Sequence, residues 1–114
     1  MVKIRYVCTE DKSFWYSLDK HLRSEEFAGK VRDKRGYVLE EDGTPVGLLR
    51  YNLFWDNTPF CTLLFVDWPY QKKGYGRMLM EHWEADMMEK RLRHAFDVHA
   101  GGRGGTALLS QAGV

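Results

Sequence analysis

The sequence has only two cysteines, three prolines and four histidines in 114 residues. Two thiols, Cys8 and Cys61, each inside an apolar run, cannot build the disulfide lattice of a small secreted domain. They read as reduced, buried cysteines of a cytoplasmic protein. His21 and His82 have no ligand partner at metal-binding spacing and read as structural or surface residues, so no metal centre is expected. No apolar stretch approaches the roughly 20 residues that a membrane-crossing helix needs. The opening MVKIRYV runs straight into a strand pattern, which is not how a signal peptide begins. Excess charge is also lacking. The 17 Lys plus Arg and 16 Asp plus Glu leave +1, which argues against nucleic acid or an anionic membrane as a partner.

What the chain does have is aromatic bulk, with 4 Trp, 6 Tyr and 6 Phe, enough to build the core of one domain. It is small for an enzyme that holds both a large cofactor and a substrate. The composition is uneven. Residues 91–114 contain five of the 11 glycines but a single acid, Asp97, and a single aromatic, Phe96.

The pattern predicts a strand at Ile4–Cys8, then a helix capped by Thr9 carrying Phe14, Trp15 and Leu18. A second short helix begins at Ser24 and ends at Gly29. Gly36–Glu40 and Pro45–Trp55 read as strands joined by the hairpin turn Glu41-Asp42-Gly43-Thr44. Asp56-Asn57-Thr58 is a turn, and Pro59–Val66 is a strand whose apolar run suggests burial on both faces. A loop from Asp67 leads to a helix that opens at Gly74 or Gly76 and runs to about Lys90. Leu79, Trp83 and Met87 form its buried stripe. Beyond it, a short strand at 95–99, a glycine loop and a weak helix or disorder are the expectations. The fold class is therefore α/β, a mixed, mostly antiparallel sheet flanked by helices.

One motif carries chemistry. Gln71-Lys72-Lys73-Gly74-Tyr75-Gly76 follows a strand and opens a helix. Glycines let backbone N–H groups approach a ligand, and a helix N-terminus adds free donors and a positive dipole end. Lys72, Lys73 and Arg77 add formal charge, so a phosphate or pyrophosphate is the matching ligand. No Gly-Lys-Ser/Thr follows, which disfavours an ATP-binding P-loop. Antiparallel hairpins precede the motif, which disfavours a dinucleotide fingerprint.

The stretch from Leu64 to Met80 resembles the acyl-coenzyme-A motif of the GNAT family of N-acetyltransferases. Gln71, Gly74 and Gly76 stand at the family's motif positions, and the element order over roughly residues 3–90 is similar. The resemblance implies an acyl-CoA N-acyltransferase fold, incomplete at its C-terminus, with acetyl-CoA as cosubstrate and an amine as acceptor. The main chain of Leu64, Phe65 and Val66 would pair with the pantetheine arm. The N–H groups of Gln71, Lys72, Lys73, Gly74, Tyr75 and Gly76, with Arg77, would hold the pyrophosphate. Transfer needs a base to leave the amine uncharged, an acid for the departing thiolate, and N–H donors for the oxyanion. Asp67 is the first candidate base, beside Glu40 and Glu41. Tyr51, Tyr70 and Tyr75 are candidate acids or substrate contacts. Each of these also reads as a solvated carboxylate or a packed ring. Trp15, Tyr16, Tyr51 and Trp55 could form an aromatic acceptor wall, with the 55–58 turn beside it. A non-catalytic CoA-binding or structural module on the same scaffold is the alternative.

The family continues after this helix with a further strand and a helix that commonly ends in Phe-Tyr-x-x-Leu-Gly-Phe/Tyr. Residues 91–114 show neither. Back-translated and read one nucleotide later, with degenerate bases chosen freely, residues 90–114 yield a strand, an acidic helix start and Phe-Tyr-Arg-Lys-Leu-Gly-Tyr. The expectation is a truncated, frameshifted member: residues 1–90 the N-terminal portion of the domain, 91–114 an atypical tail. The missing strands would favour a homo-oligomer formed by strand exchange and leave activity weak.

Overall fold

The computed structural model describes residues 1–55 and 58–97, with side chains through Arg91. Four strands, β1 (Val2–Tyr6), β2 (Gly36–Glu41), β3 (Thr44–Phe54) and β4 (Thr58–Val66), lie in the order β1-β2-β3-β4 with every pair antiparallel. This is the expected mixed α/β fold. The β2–β3 turn places Asp42 at φ 53° and Gly43 at φ 85°, the positive dihedrals whose twist suits a tight hairpin.

Helices α1 (Lys12–Leu18) and α2 (Ser24–Asp33) cover one sheet face, where Trp15 and Phe27 pack edge to face over Val38 and Leu48. The long helix α3 (Tyr75–Asp97) covers the other. Its stripe of Leu79, Trp83 and Met87 is buried as its spacing requires, against Leu39, Leu49 and Tyr51.

Several expectations change. Thr9 opens a 3-10 turn, Thr9–Asp11, instead of capping α1. Asp11 accepts the Cys8 N–H at 2.8 Å and takes two guanidinium nitrogens of Arg5, at 2.7 and 2.8 Å, which ties the turn to β1. Helix α2 does not stop at Gly29. It continues to Asp33 and ends where Lys34 turns left-handed at φ 57°, because Phe27 and Lys30 are both buried against the sheet and the packing outweighs one glycine. Strand β4 is not buried on both faces: Phe60 and Phe65 are exposed. It is the last strand of the sheet among the described residues. Cys8 and Cys61 are half-buried free thiols. Helix α3 runs on to Asp97, over the first three positions of the strand expected at 95–99, since nothing between Glu89 and Asp97 breaks a helix. The rest of that strand, the glycine loop and the weak helix lie outside the described residues, as do Asp56 and Asn57.

Strands β3 and β4 outrun β2, whose last partner is Gly36↔Arg50. At that point the β3–β4 register moves from Arg50↔Leu63 to Tyr51↔Cys61, leaving Thr62 as the extra residue of a bulge.

Candidate functional site

The segment after Val66 folds by local hydrogen bonding. The Asp67 carboxylate accepts the Trp68 N–H at 2.9 Å and caps a 3-10 turn, Trp68–Tyr70. The Gln71 side chain reaches back, its Nε2 donating to the Val66 carbonyl at 2.9 Å. Lys72 (φ 67°) and Gly74 (φ 82°) then turn the backbone left-handed, and α3 begins. The Met78 N–H takes the Gly74 carbonyl at 3.0 Å. That leaves the N–H groups of Tyr75, Gly76 and Arg77 without an acceptor inside the helix, at its positive end.

These turns enclose one side of an open cavity of about 440 Å³. Leu64, Phe65 and Val66 line it from the strand, and Tyr70, Gln71, Lys72, Gly74, Tyr75 and Gly76 from the loop and helix. An added Cβ would have nothing within 4 Å at Gly74 and only Leu64 Cδ2 at 3.8 Å at Gly76, so both backbones stand open toward any ligand. Free amides, a helix end and a lysine fit an anionic group, and the exposed edge of β4 fits an extended chain.

Two residues expected at this site lie outside the cavity lining. Arg77 is 82% exposed and 3.9 Å from Glu81. Lys73 turns toward β2, its Nζ 3.4 Å from Glu41 Oε1 and above the rings of Tyr70 (5.4 Å) and Tyr75 (6.0 Å). The Tyr75 hydroxyl donates to the same carboxylate oxygen. That bond is the main reason the Glu41 carboxyl lies below its ordinary range and the Tyr75 hydroxyl is pushed up to about 12.

The candidate acids and bases do not converge. Asp67 is engaged by the Trp68 N–H. Tyr51 is buried on the α3 face, 6.2 Å from the Tyr37 ring and 6.1 Å from Trp83, and burial pushes its hydroxyl up to about 12. Tyr70 lines the cavity. Glu40 is bound by Arg5 Nε at 2.6 Å. The four candidate wall aromatics are likewise dispersed. Trp15 is wholly buried with its Nε1 on Asp19, and Tyr16 is half-buried against Phe27. Tyr51 lies on the opposite face, and Trp55 is 83% exposed at the hairpin tip.

Two charged residues to which sequence reasoning gave no role of their own hold the scaffold. Asp86 accepts both the Tyr6 and Tyr37 hydroxyls. Its signal was an acid three residues after Trp83, on the flank of the apolar stripe. Lys30 donates to the Tyr51 carbonyl at 2.8 Å and to Asn52 Oδ1, bracing the point where the β3–β4 hairpin leaves β2. Among the described residues, no group of three or more His, Cys, Asp or Glu could hold a metal ion, and no helix is long and apolar enough to cross a membrane.

A sequence model described as the acetyltransferase (GNAT) family matches residues 4–113, further along the chain than the motifs themselves. No curated protein matches. Among solved structures, the N-acetylglutamate synthase from Neisseria gonorrhoeae, complexed with coenzyme A and N-acetyl-glutamate, is similar at TM-score 0.69 and 20% identity, over 78% of this chain and 23% of that one. The ribosomal-protein alanine N-acetyltransferase from Escherichia coli is similar at TM-score 0.63 and 22% identity, over 79% of this chain and 61% of that one. A GNAT-family acetyltransferase from Bacillus cereus is similar at TM-score 0.63 and 20% identity, over 74% and 63%. The chain thus spans less than two thirds of each, and at such identities the likeness is one of fold.

Proposed function

Because the chain belongs to the acetyltransferase (GNAT) family, we propose that it binds acetyl-coenzyme A at the end of β4 and transfers the acetyl group to an amine. The observation that carries this reading is the cavity shared by the free β4 edge and the Gln71–Gly76 loop. The amides of the loop and of the first turn of α3, with Lys72, would hold the pyrophosphate. The main chain of Leu64–Val66 would take the pantetheine arm, with the Gln71 side chain fixing the Val66 carbonyl beside it. Bound there, the cosubstrate supplies an activated thioester. Of the candidate acids, Tyr70 and Tyr75 border the cavity, and the Tyr75 hydroxyl is already bound to Glu41, which favours Tyr70 as the proposed donor to the departing thiolate.

A second reading is a CoA-binding module without catalysis. It is favoured by the dispersal of Asp67, Tyr51 and Tyr70. Calorimetric titration of the full chain with acetyl-CoA, followed by thiol release with a panel of amines, separates the two. Heat with amine-dependent thiol release supports the transferase, heat without release supports the module, and no heat at millimolar ligand overturns both.

We also propose a cytoplasmic location, and self-association through the β4 edge, which has no strand beside it among the described residues. On the change in composition after Lys90, residues 91–114 are proposed to be an out-of-frame tail, against the family match that runs to residue 113. Sequencing the coding DNA tests this, and codons that give no family-like reading one nucleotide later would sink it.

A further inference from the structure

We infer that Glu41 holds the place of a ligand phosphate: its carboxylate and an anionic ligand compete for the ammonium group of Lys73. The inference rests on the acyl-coenzyme A reading and names a residue that sets affinity at that site. Lys73 stands between Lys72 and Gly74, both of which line the cavity, and its ammonium lies over the rings of Tyr70 and Tyr75, which also line it. The charge is therefore at the rim. It is turned away by a carboxylate carried on a different element, the end of β2. The pair is solvated, with side chains 48% and 24% exposed and 3.4 Å between the charges, so it is weak and exchangeable. Glu41 keeps the Tyr75 hydroxyl as a donor if Lys73 leaves, so separation does not strand the carboxylate. A phosphate offers the ammonium more charge and more acceptor oxygens than one carboxylate does. The two rings hold the ammonium near the cavity whichever anion it faces.

The two roles open to Glu41 differ in sign. Glu41→Gln keeps an acceptor for the Tyr75 hydroxyl and removes the charge. If Glu41 competes for Lys73, Glu41→Gln tightens binding of coenzyme A and of inorganic pyrophosphate by roughly twofold to fivefold at low salt. In the Lys73→Met background the same substitution has no effect, and Lys73→Met alone changes affinity less than the gain in Glu41→Gln. If Glu41 only orients Tyr75, Glu41→Gln leaves binding unchanged or weakens it as Tyr75→Phe does. Isothermal titration calorimetry of the full chain reads both probes, with thermal melts confirming that each variant is folded. Unchanged or weaker binding in Glu41→Gln, or a gain that persists with Lys73→Met, overturns the inference. Binding of pyrophosphate with the expected coupling but no heat with coenzyme A upholds the competition and overturns the cosubstrate reading. No binding of either probe overturns both.

Discussion

Tyr37 donates its hydroxyl to Asp86 Oδ2 at 2.5 Å, joining the start of β2 to the fourth turn of α3 across 49 residues of sequence. Tyr6 donates to the same oxygen at 2.8 Å, and Lys90 Nζ lies 3.5 Å away. The rings of Tyr6 and Tyr37 stack at 5.5 Å, and Tyr37 stacks on Tyr51 at 6.2 Å. One carboxylate thus fastens the helix to a row of tyrosines running across three strands, and the helix in turn aims its N-terminus at the end of β4.

Asp86→Ala leaves the two hydroxyls without their acceptor and is expected to lower stability by about 2 kcal/mol. The pH dependence is specific. Burial pushes the Asp86 carboxyl up, but the bonds from Tyr37 and Tyr6 and the charge of Lys90 together hold it below the ordinary value of 3.8. A depressed carboxyl stabilises the fold fully above that value, and the contribution is lost as pH falls through the lowered one. Urea midpoints between pH 5 and pH 2 should therefore fall less steeply for Asp86→Asn than for the parent chain. Parallel curves would contradict the network.

Gly74 and Gly76 should respond oppositely to alanine. Gly74 sits at φ 82° with open space around it, so Gly74→Ala meets only backbone strain, about 1–2 kcal/mol. Gly76 is in the first turn of α3, and a methyl there makes ordinary contact with Leu64, so Gly76→Ala should be neutral or stabilising by up to about 1 kcal/mol. Gly76→Ala should nonetheless weaken coenzyme A binding, because the methyl enters the cavity lining. Melting and calorimetry on the same two variants check both halves.

Lys30 is a buried amine whose pKa is lowered from 10.5, first by burial and then by Arg50 and Arg35. Below 10.5 the unfolded chain holds its proton more tightly, so this group makes stability rise as pH climbs from the lowered value toward 10.5. Lys30→Met removes that rise. The urea midpoint of the parent minus that of the variant should be more positive at pH 10 than at pH 7, and comparing the two chains cancels the tyrosines they share. An equal difference at both pH values would count against a buried, titrating Lys30.

Self-association should be concentration-dependent and centred on the C-terminal half of β4. Pro59 and the bulge at Thr62 blunt the first half of that edge, which leaves Leu63–Val66 as the pairing segment, the same edge proposed for the pantetheine arm, so acetyl-coenzyme A should oppose association. Phe65→Lys should shift sedimentation toward monomer. A parent chain that is strictly monomeric at high concentration would rule this out.

The strands, the β2–β3 hairpin and the buried stripe of α3 were legible because each is written in a local period or a turn residue. Leu79, Trp83 and Met87 recur at helical spacing, and Asp42-Gly43 supplies the positive dihedrals of a tight turn. The phosphate-type loop was legible for the same reason, since Gly74 and Gly76 act through their own backbone. What was not legible depends on partners distant in sequence. The length of α2 follows from Phe27 and Lys30 docking on the sheet. The exposure of Phe60 and Phe65 on β4 follows from what the fold leaves uncovered among the described residues, because an apolar strand reads alike whether a neighbour covers it or not.

The sequence by itself determined most of the elements, their order and the glycine-lysine loop proposed to hold an anion, because these rest on backbone chemistry and short-range periodicity. Only the tertiary structure decided which charges that loop presents. Lys72 and Lys73 are adjacent and identical in kind, yet one lines the cavity and the other is claimed by Glu41, a residue 32 positions away that the hairpin brings alongside. A side chain's charge is a property of its residue. Whether that charge is available is set by what the fold places next to it.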